Sequence, residues 1–387
     1  MIHDPVFIVS VLLVLEGFVL WLAAQPRTSA WFNFLPPVFW IYFLPMMASS
    51  AGLIDARAPI LGMIIANVLP MALFLLLVTV DLKAISRLGA KALGMFFCGS
   101  LGVVAGTLLA FLMVKGGVGG KFWSGFGALS ASWIGGSANM IATREALGTP
   151  DNVFLPMVVV DTIVPYVWMG ILIAGVRWQE AFDRWNSSDR VVLDELKMSL
   201  GTQARPQTLL TMPGVFLLGV CALSAGVAAK YAAGYLPQVK DLFSTSAWTI
   251  MVVSLIGLGA SLTPARRLEA CGASRVGYWV LYFVLTAIGA KASLSDLGTS
   301  VVLISAGGVI IVVHALFLLG AARLMRAPLF LAAAASQANI GGVASAPVVA
   351  AVYEPGLASV GLLLAILGNI VGTYGGILCG QCCRLFS

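Results

Sequence analysis

The sequence predicts an all-α membrane protein with about twelve transmembrane helices in two internal repeats, each repeat carrying a broken crossover helix; three observations carry that reading. The first is composition: 60% of the residues are hydrophobic, 10% are charged and the mean hydropathy is +1.00, against about 25% charge in soluble domains. The second is segmentation, because apolar stretches of the roughly 20 residues needed to cross about 30 Å of hydrocarbon recur from end to end. The third is a duplicated motif. A shift of 206 places Ser130 on Ser336, Ile134 on Ile340, Gly135 on Gly341, Gly136 on Gly342 and Ala138 on Ala344. With one residue slipped in the loop, Thr162 falls on Asn369, Ile163 on Ile370 and Val164 on Val371.

The apolar stretches lie near residues 6–24, 32–54, 58–80, 92–114, 122–143, 152–176, 212–235, 246–263, 276–293, 299–321, 328–352 and 357–380. They divide the chain into a first repeat (1–176), a polar cytoplasmic linker (177–211) and a second repeat (212–387). The first stretch lacks a basic leader and a small-residue cleavage site, so it is expected to remain as a span. The net charge of +6 does not point to nucleic acid, since Lys and Arg in such a chain mainly set orientation. Counted over alternate loops, fourteen of the twenty-two basic residues fall on the side of the N-terminus. Both termini are therefore expected in the cytoplasm, with the chain in a bacterial inner membrane.

In chain order, the first span holds a single acid, Glu16, read as structural. Pro36, Pro37, Pro45 and Pro70 remove backbone donors and kink the next two spans, and Asn67 among them reads as an interhelical donor. The charged and apolar segment 81–91 lies along the interface, with an echo at 292–300. Within the linker, RVVLDELKMSL reads as an amphipathic surface helix. His314 falls inside the tenth span and reads as a packed histidine. Of six cysteines, Cys379, Cys382 and Cys383 form a CGQCC tail. Without a nearby histidine or second pair it is read as packing, and no metal or cofactor is expected beyond bound Na⁺.

Function is expected at the duplicated motifs. In lipid, irregular backbone survives only inside protein or beside a water-filled cavity, yet glycine pairs interrupt both apolar segments. Freed carbonyls and side-chain oxygens can hold Na⁺, and half-helix N-termini favour an anionic group. The candidate substrate-binding residues are Ser130, Ser132, Gly135, Gly136, Ser137 and Asn139 around the first pair. Around the second they are Ser336, Gln337, Asn339, Gly341, Gly342 and Ser345. Asp161, an acid well inside the sixth span, is the candidate ion-coupling residue with Thr162, Asn369 and Thr373. The alternatives are close packing of small residues for the glycines and a protonated structural hydrogen bond for Asp161.

The stretches SWIGGSAN (132–139), SQANIGG (336–342) and LGNIVGTYGG (367–376) resemble the YjcL-like family of bacterial and plastid membrane proteins, long known as a domain of unknown function. That family is distantly similar to bile-acid sodium symporters and NhaA-type antiporters. The likeness implies a core domain, in which two broken helices cross at Ile134 to Asn139 and Ile340 to Ser345, beside a panel domain. It also puts Asp161 in the place of a cation-binding acid. Those folds use inverted repeats, whereas the fifth and eleventh spans counted here lie six apart, as parallel repeats would.

The function expected is a secondary active symporter of a small polar or anionic organic solute, coupled to Na⁺ or H⁺, with lipid as its surroundings and a homodimer compatible with the sequence. The alternative is a cation/proton antiporter without organic substrate. An intramembrane enzyme is set aside, since no HExxH, second membrane aspartate or serine with a placed histidine occurs.

Overall fold

The computed structural model describes residues 4–27, 32, 37–118, 121–188, 191–200, 210–237, 244–291 and 300–387. The expected echo at 292–300, Pro36 and the end of the linker at 201–209 lie outside or largely outside these residues.

Every regular element among the described residues is a helix. In order, the helices are α1 (Pro5–Ala24), α2 (Pro37–Ser50), α3 (Pro59–Leu77), α4 (Leu82–Ser86), α5 (Gly89–Val118), α6 (Phe122–Gly135), α7 (Ser137–Leu147) and α8 (Asp151–Gly175). After a 3₁₀ turn, Val176–Trp178, come α9 (Gln179–Asn186) and α10 (Val191–Leu200). Then follow α11 (Met212–Gly234), α12 (Thr245–Ser261), α13 (Ala273–Lys291), α14 (Ser300–Met325), α15 (Leu329–Ile340), α16 (Gly342–Tyr353) and α17 (Ala358–Arg384).

Eight helices among the described residues are long and apolar enough to cross a membrane, or nine if α12 is joined to the 3₁₀ segment Pro264–Cys271 that leaves it at 96°. The eight are α1, α3, α5, α8 running on into α9, α11, α13, α14 and α17. The other four expected spans differ. Segment 32–54 contains the 14-residue α2, and 246–263 the 17-residue α12. Segments 122–143 and 328–352 each divide at glycine, into 14 plus 11 and 12 plus 12 residues. At 1.5 Å per residue, each half is about half a bilayer long, so these two segments are broken elements rather than continuous spans.

Two compact units form, and each draws on both halves of the sequence. Unit one comprises Met1–Val80, Gly148–Thr162 and Gln207–Ser300. Its centre is α3, whose apolar residues meet glycines of its neighbours: a Cβ on Gly257 of α12 would stand 2.9 Å from Leu77 Cβ, and one on Gly277 of α13 would stand 3.1 Å from Leu75 Cβ. Lys230 of α11 donates to Asn67 Oδ1 at 2.9 Å, so Asn67 is the interhelical partner expected, but as acceptor. Glu16 of α1 is buried, at 6% exposure.

Unit two comprises Asp81–Leu147, Ile163–Pro206 and Val301–Ser387. Its spine is the contact of α6 with α17, made backbone to backbone. A Cβ on Gly127 would stand 2.8 Å from Gly380 Cα, and one on Gly372 would stand 2.9 Å from Gly135 Cα. A Cβ on Gly376 would collide with Ala131. Glycines at 368, 372, 376 and 380 share one helix face through their spacing of four, and α6 lies along that face.

The linker is not a detached surface segment. Helix α9 turns Asp183 and Asn186 inward, at 6% and 0% exposure. Asn186 Nδ2 donates to Ala322 O at 3.1 Å and Ala327 O at 2.9 Å, where α14 ends. Asp183 Oδ1 accepts the Leu329 N–H at 2.9 Å, where α15 begins. The Leu329 N–H is an orphan donor at a helix start, and Ala322 O also accepts the Ala327 N–H at 2.9 Å, so α9 caps the start of α15 and braces the chain that leaves α14.

Candidate substrate and ion site at the helix crossing

The first break is made by Gly136, at φ 88° and ψ 175°, a region open to glycine and costly for other residues. Its neighbour Gly135 serves packing: a Cβ there would collide with Gly368 O. The GG pair thus combines the two readings set against each other from sequence, close approach at the first glycine and the helix break at the second. Asn139, in the first turn of α7, closes the broken end. Its Nδ2 donates to Gly135 O at 2.6 Å, and its Oδ1 accepts from the Thr373 N–H at 3.0 Å and the Thr373 hydroxyl at 2.5 Å. Asn139 and Thr373 therefore join α6, α7 and α17.

The second break has the same division. Gly341 has an ordinary φ of −109°, but a Cβ on it would collide with Gln337 Nε2 and Ser345 Oγ. Gly342 carries the positive φ, 66°. Gln337 Nε2 donates to Ser345 Oγ at 2.8 Å, bridging the halves. Its Oε1 is buried and makes no hydrogen bond among the described residues. Leaving a buried acceptor unsatisfied costs about 1–3 kcal/mol, so this atom is a strong candidate for meeting something that arrives.

The breaks meet. A Cβ on Gly342 would stand 3.7 Å from Gly136 Cα, and one on Gly136 would stand 3.6 Å from Asn369 Oδ1 of α17. Gly136, Ser137, Ala138, Ser345 and Asn369 are half-buried here, and Ala344 is exposed. The crossing thus presents hydroxyls, an amide and the buried Gln337 oxygen beside the N-terminal ends of α7 and α16. Those ends favour negative charge and carry free N–H donors.

Other expected residues turn elsewhere. Ser336 faces α14 and α8, and Asn339 faces α5. With its amide oriented to satisfy both atoms, Asn339 donates to Phe96 O at 3.3 Å and Ala335 O at 3.2 Å, and accepts from the Ser100 hydroxyl at 2.9 Å. Ser130 is fully buried beside the Cys379 thiol. Ser132 is buried too, and its carbonyl accepts the Gly136 N–H at 2.6 Å. Asp161 and Thr162 fall in unit one, whereas the crossing is built within unit two. The Thr162 hydroxyl donates to Val158 O on its own helix at 2.8 Å, and Asp161 is half-buried.

Three features escaped the sequence reading: the α17 glycine face, the capping by α9, and the contacts of His314. The first was legible as four glycines spaced by four. The second was legible as Gln179, Asp183 and Asn186 sharing one face of a short helix.

Eight membrane-length helices among the described residues, with two glycine-broken helices crossing in one unit, define a polytopic α-helical membrane protein. The chain belongs to the family described as "Protein of unknown function (DUF819)", whose model matches residues 10–386. It is 25% identical over 348 residues, 87% of either chain, to the "Uncharacterized membrane protein YjcL" of Bacillus subtilis (strain 168). The resemblance seen in SWIGGSAN and SQANIGG is that family.

Proposed function

We propose that this protein is a secondary active symporter of a small polar or anionic organic solute, coupled to Na⁺ or H⁺. The observation that carries the reading is the crossing of Gly136 and Gly342, beside a Gln337 Oε1 that makes no hydrogen bond among the described residues. Broken helices at corresponding places in two halves of a chain are the mark of a transporter site. The N-terminal ends of α7 and α16 favour a carboxylate or similar group of the solute. The Gln337 oxygen, with Ser345 and Asn369, suits a cation or a donor of the solute. Helix-end charge therefore binds one part of the cargo, and oxygen ligands bind another.

In this scheme residues 1–176 and 212–387 are structural repeats joined by the cytoplasmic linker. The unit bearing the crossing is the core, the other is the panel, and the crossing is exposed to the two membrane faces in turn. Asp161 is the acid that exchanges the coupling ion, with Thr162 next to it. Both termini lie in the cytoplasm, the membrane is the bacterial inner membrane, and the chain works without catalysis or a resident cofactor, alone or as a homodimer.

The test is thermal stability of the purified protein in detergent, with Na⁺ against choline at two pH values, for wild type and Asp161→Asn. A ligand that binds the folded state stabilises it. A Na⁺-specific or pH-dependent shift that the variant loses supports ion coupling. A response to neither ion in the wild type contradicts it.

A further inference from the structure

His314 lies inside α14 and is fully buried. Its Nδ1 is 2.9 Å from Gly99 O of α5, and its Nε2 is 2.9 Å from Ser336 Oγ of the broken helix α15. A carbonyl only accepts, so Nδ1 carries the proton, and Nε2 of the neutral ring is an acceptor. The Ser336 hydroxyl therefore donates to His314, and its oxygen accepts Trp168 Nε1–H at 2.8 Å. Every bond in the chain has one direction: Trp168 to Ser336 to His314 to Gly99. The ring's place depends on glycine, since a Cβ on Gly102 would stand 2.9 Å from His314 Cα, and one on Gly99 would stand 3.1 Å from His314 Cε1.

We infer that His314 is a proton-binding positioning residue, which sets the place of broken helix α15 through Ser336. A proton taken from water forms one new Nε2–H bond and leaves one positive charge on the ring. Nε2 then donates to Ser336 Oγ, which already accepts from Trp168. The Ser336 hydroxyl keeps its own hydrogen but must turn it to another acceptor, for which a helical serine has the carbonyl four residues back. Ser336 directly precedes Gln337, so the change falls on the turn that holds the buried Gln337 oxygen, which has no hydrogen bond among the described residues.

The groups facing the ring in these contacts are neutral: a carbonyl and glycines of α5, and a hydroxyl of α15 backed by the indole of α8. The charged residues of these helices are Lys91 and Lys115 on α5, Arg323 on α14, and Asp151 and Asp161 on α8, with none on α15. Each stands seven or more residues along its helix from the contacting residue, about 10 Å of rise. The charge state of His314 is thus communicated through Ser336. The consequence for solute movement rests on the transporter reading; the proton-dependent placement of α15 does not.

The sequence has two histidines, so His3→Gln leaves His314 as the one imidazole. Nitrogen-15 NMR of the histidine-labelled full chain in detergent should show the Nδ1–H tautomer at neutral pH and a titration to the doubly protonated ring on acidification. In a background without native cysteines, the maleimide labelling rate of Ala344→Cys should change over the same pH range, measured relative to an identical His314→Gln chain. Ser336→Ala should leave the titration and abolish the labelling change. An Nε2–H tautomer, a ring that does not titrate while the protein stays folded, or equal pH dependence without Ser336 overturns the inference. If His314→Gln does not fold, the spectrum and the Ser336→Ala arm decide. Neither readout needs a transported solute, so failure here is separable from failure of the symporter reading.

Discussion

Gly136 and Gly342 cross so closely that a Cβ on Gly342 would stand 3.7 Å from Gly136 Cα, and both residues hold a positive φ. The contact is ordinary in distance, so the demand for glycine at these two positions is conformational. At Gly135 the demand is steric, because a Cβ there would collide with the backbone oxygen of Gly368.

That difference gives the first prediction. Gly136→Ala should cost about 1–3 kcal/mol, the usual range for backbone strain, and leave the α6–α17 contact in place. Gly135→Ala should lower the thermal midpoint further, because overpacking against backbone adds to the loss of closeness. Midpoints of the two purified variants measure the order, and the reverse order contradicts the assignment.

The second prediction concerns Asn139 and Thr373. Asn139→Ala and Thr373→Val should each destabilise the protein, with a coupling of about 0.5–1.5 kcal/mol in a double-mutant cycle, as for a shared buried hydrogen bond. Additive effects would mean the two residues do not act together in closing the break.

Gln337→Leu should behave differently. It removes a buried oxygen with no hydrogen bond among the described residues together with the Nε2 donor to Ser345, so the two effects offset and stability in ion-free and solute-free buffer should change by less than about 1 kcal/mol. Stabilisation by Na⁺ or solute should vanish. Lower stability with an intact ligand response would remove Gln337 from the site.

At the linker, Asp183→Ala and Asn186→Ala should each cost about 0.5–2 kcal/mol, as lost helix caps do. Hydrogen exchange should quicken at the Leu329 amide, which bonds to Asp183. Unchanged exchange there would show that α9 does not hold the start of α15.

The membrane character, the paired breaks and their neighbouring polar residues were legible because they depend on composition and local backbone demand. Direction was not. Asn339 and Gln337 are two residues apart on one helix, yet one bonds toward α5 and the other toward Ser345, a choice set by rotation of α15 within the unit. Two adjacent glycines look alike in sequence, but φ separates Gly136 from Gly135. Hydropathy also reads 328–352 as one stretch, while a single positive φ at Gly342 divides it. Asp183 and Asn186 looked like solvated linker because the carbonyls and amide they cap lie about 140 residues away.

The central claim, alternating exposure of the crossing, is tested most directly at Ala344, the exposed residue two positions after Gly342. Ala344→Cys, with the six native cysteines replaced, would be treated with a membrane-impermeant maleimide in intact cells and in inverted membrane vesicles. The account predicts labelling from both faces, with the balance shifted by Na⁺ or pH. Labelling from one face alone, unmoved by either ion, would contradict it.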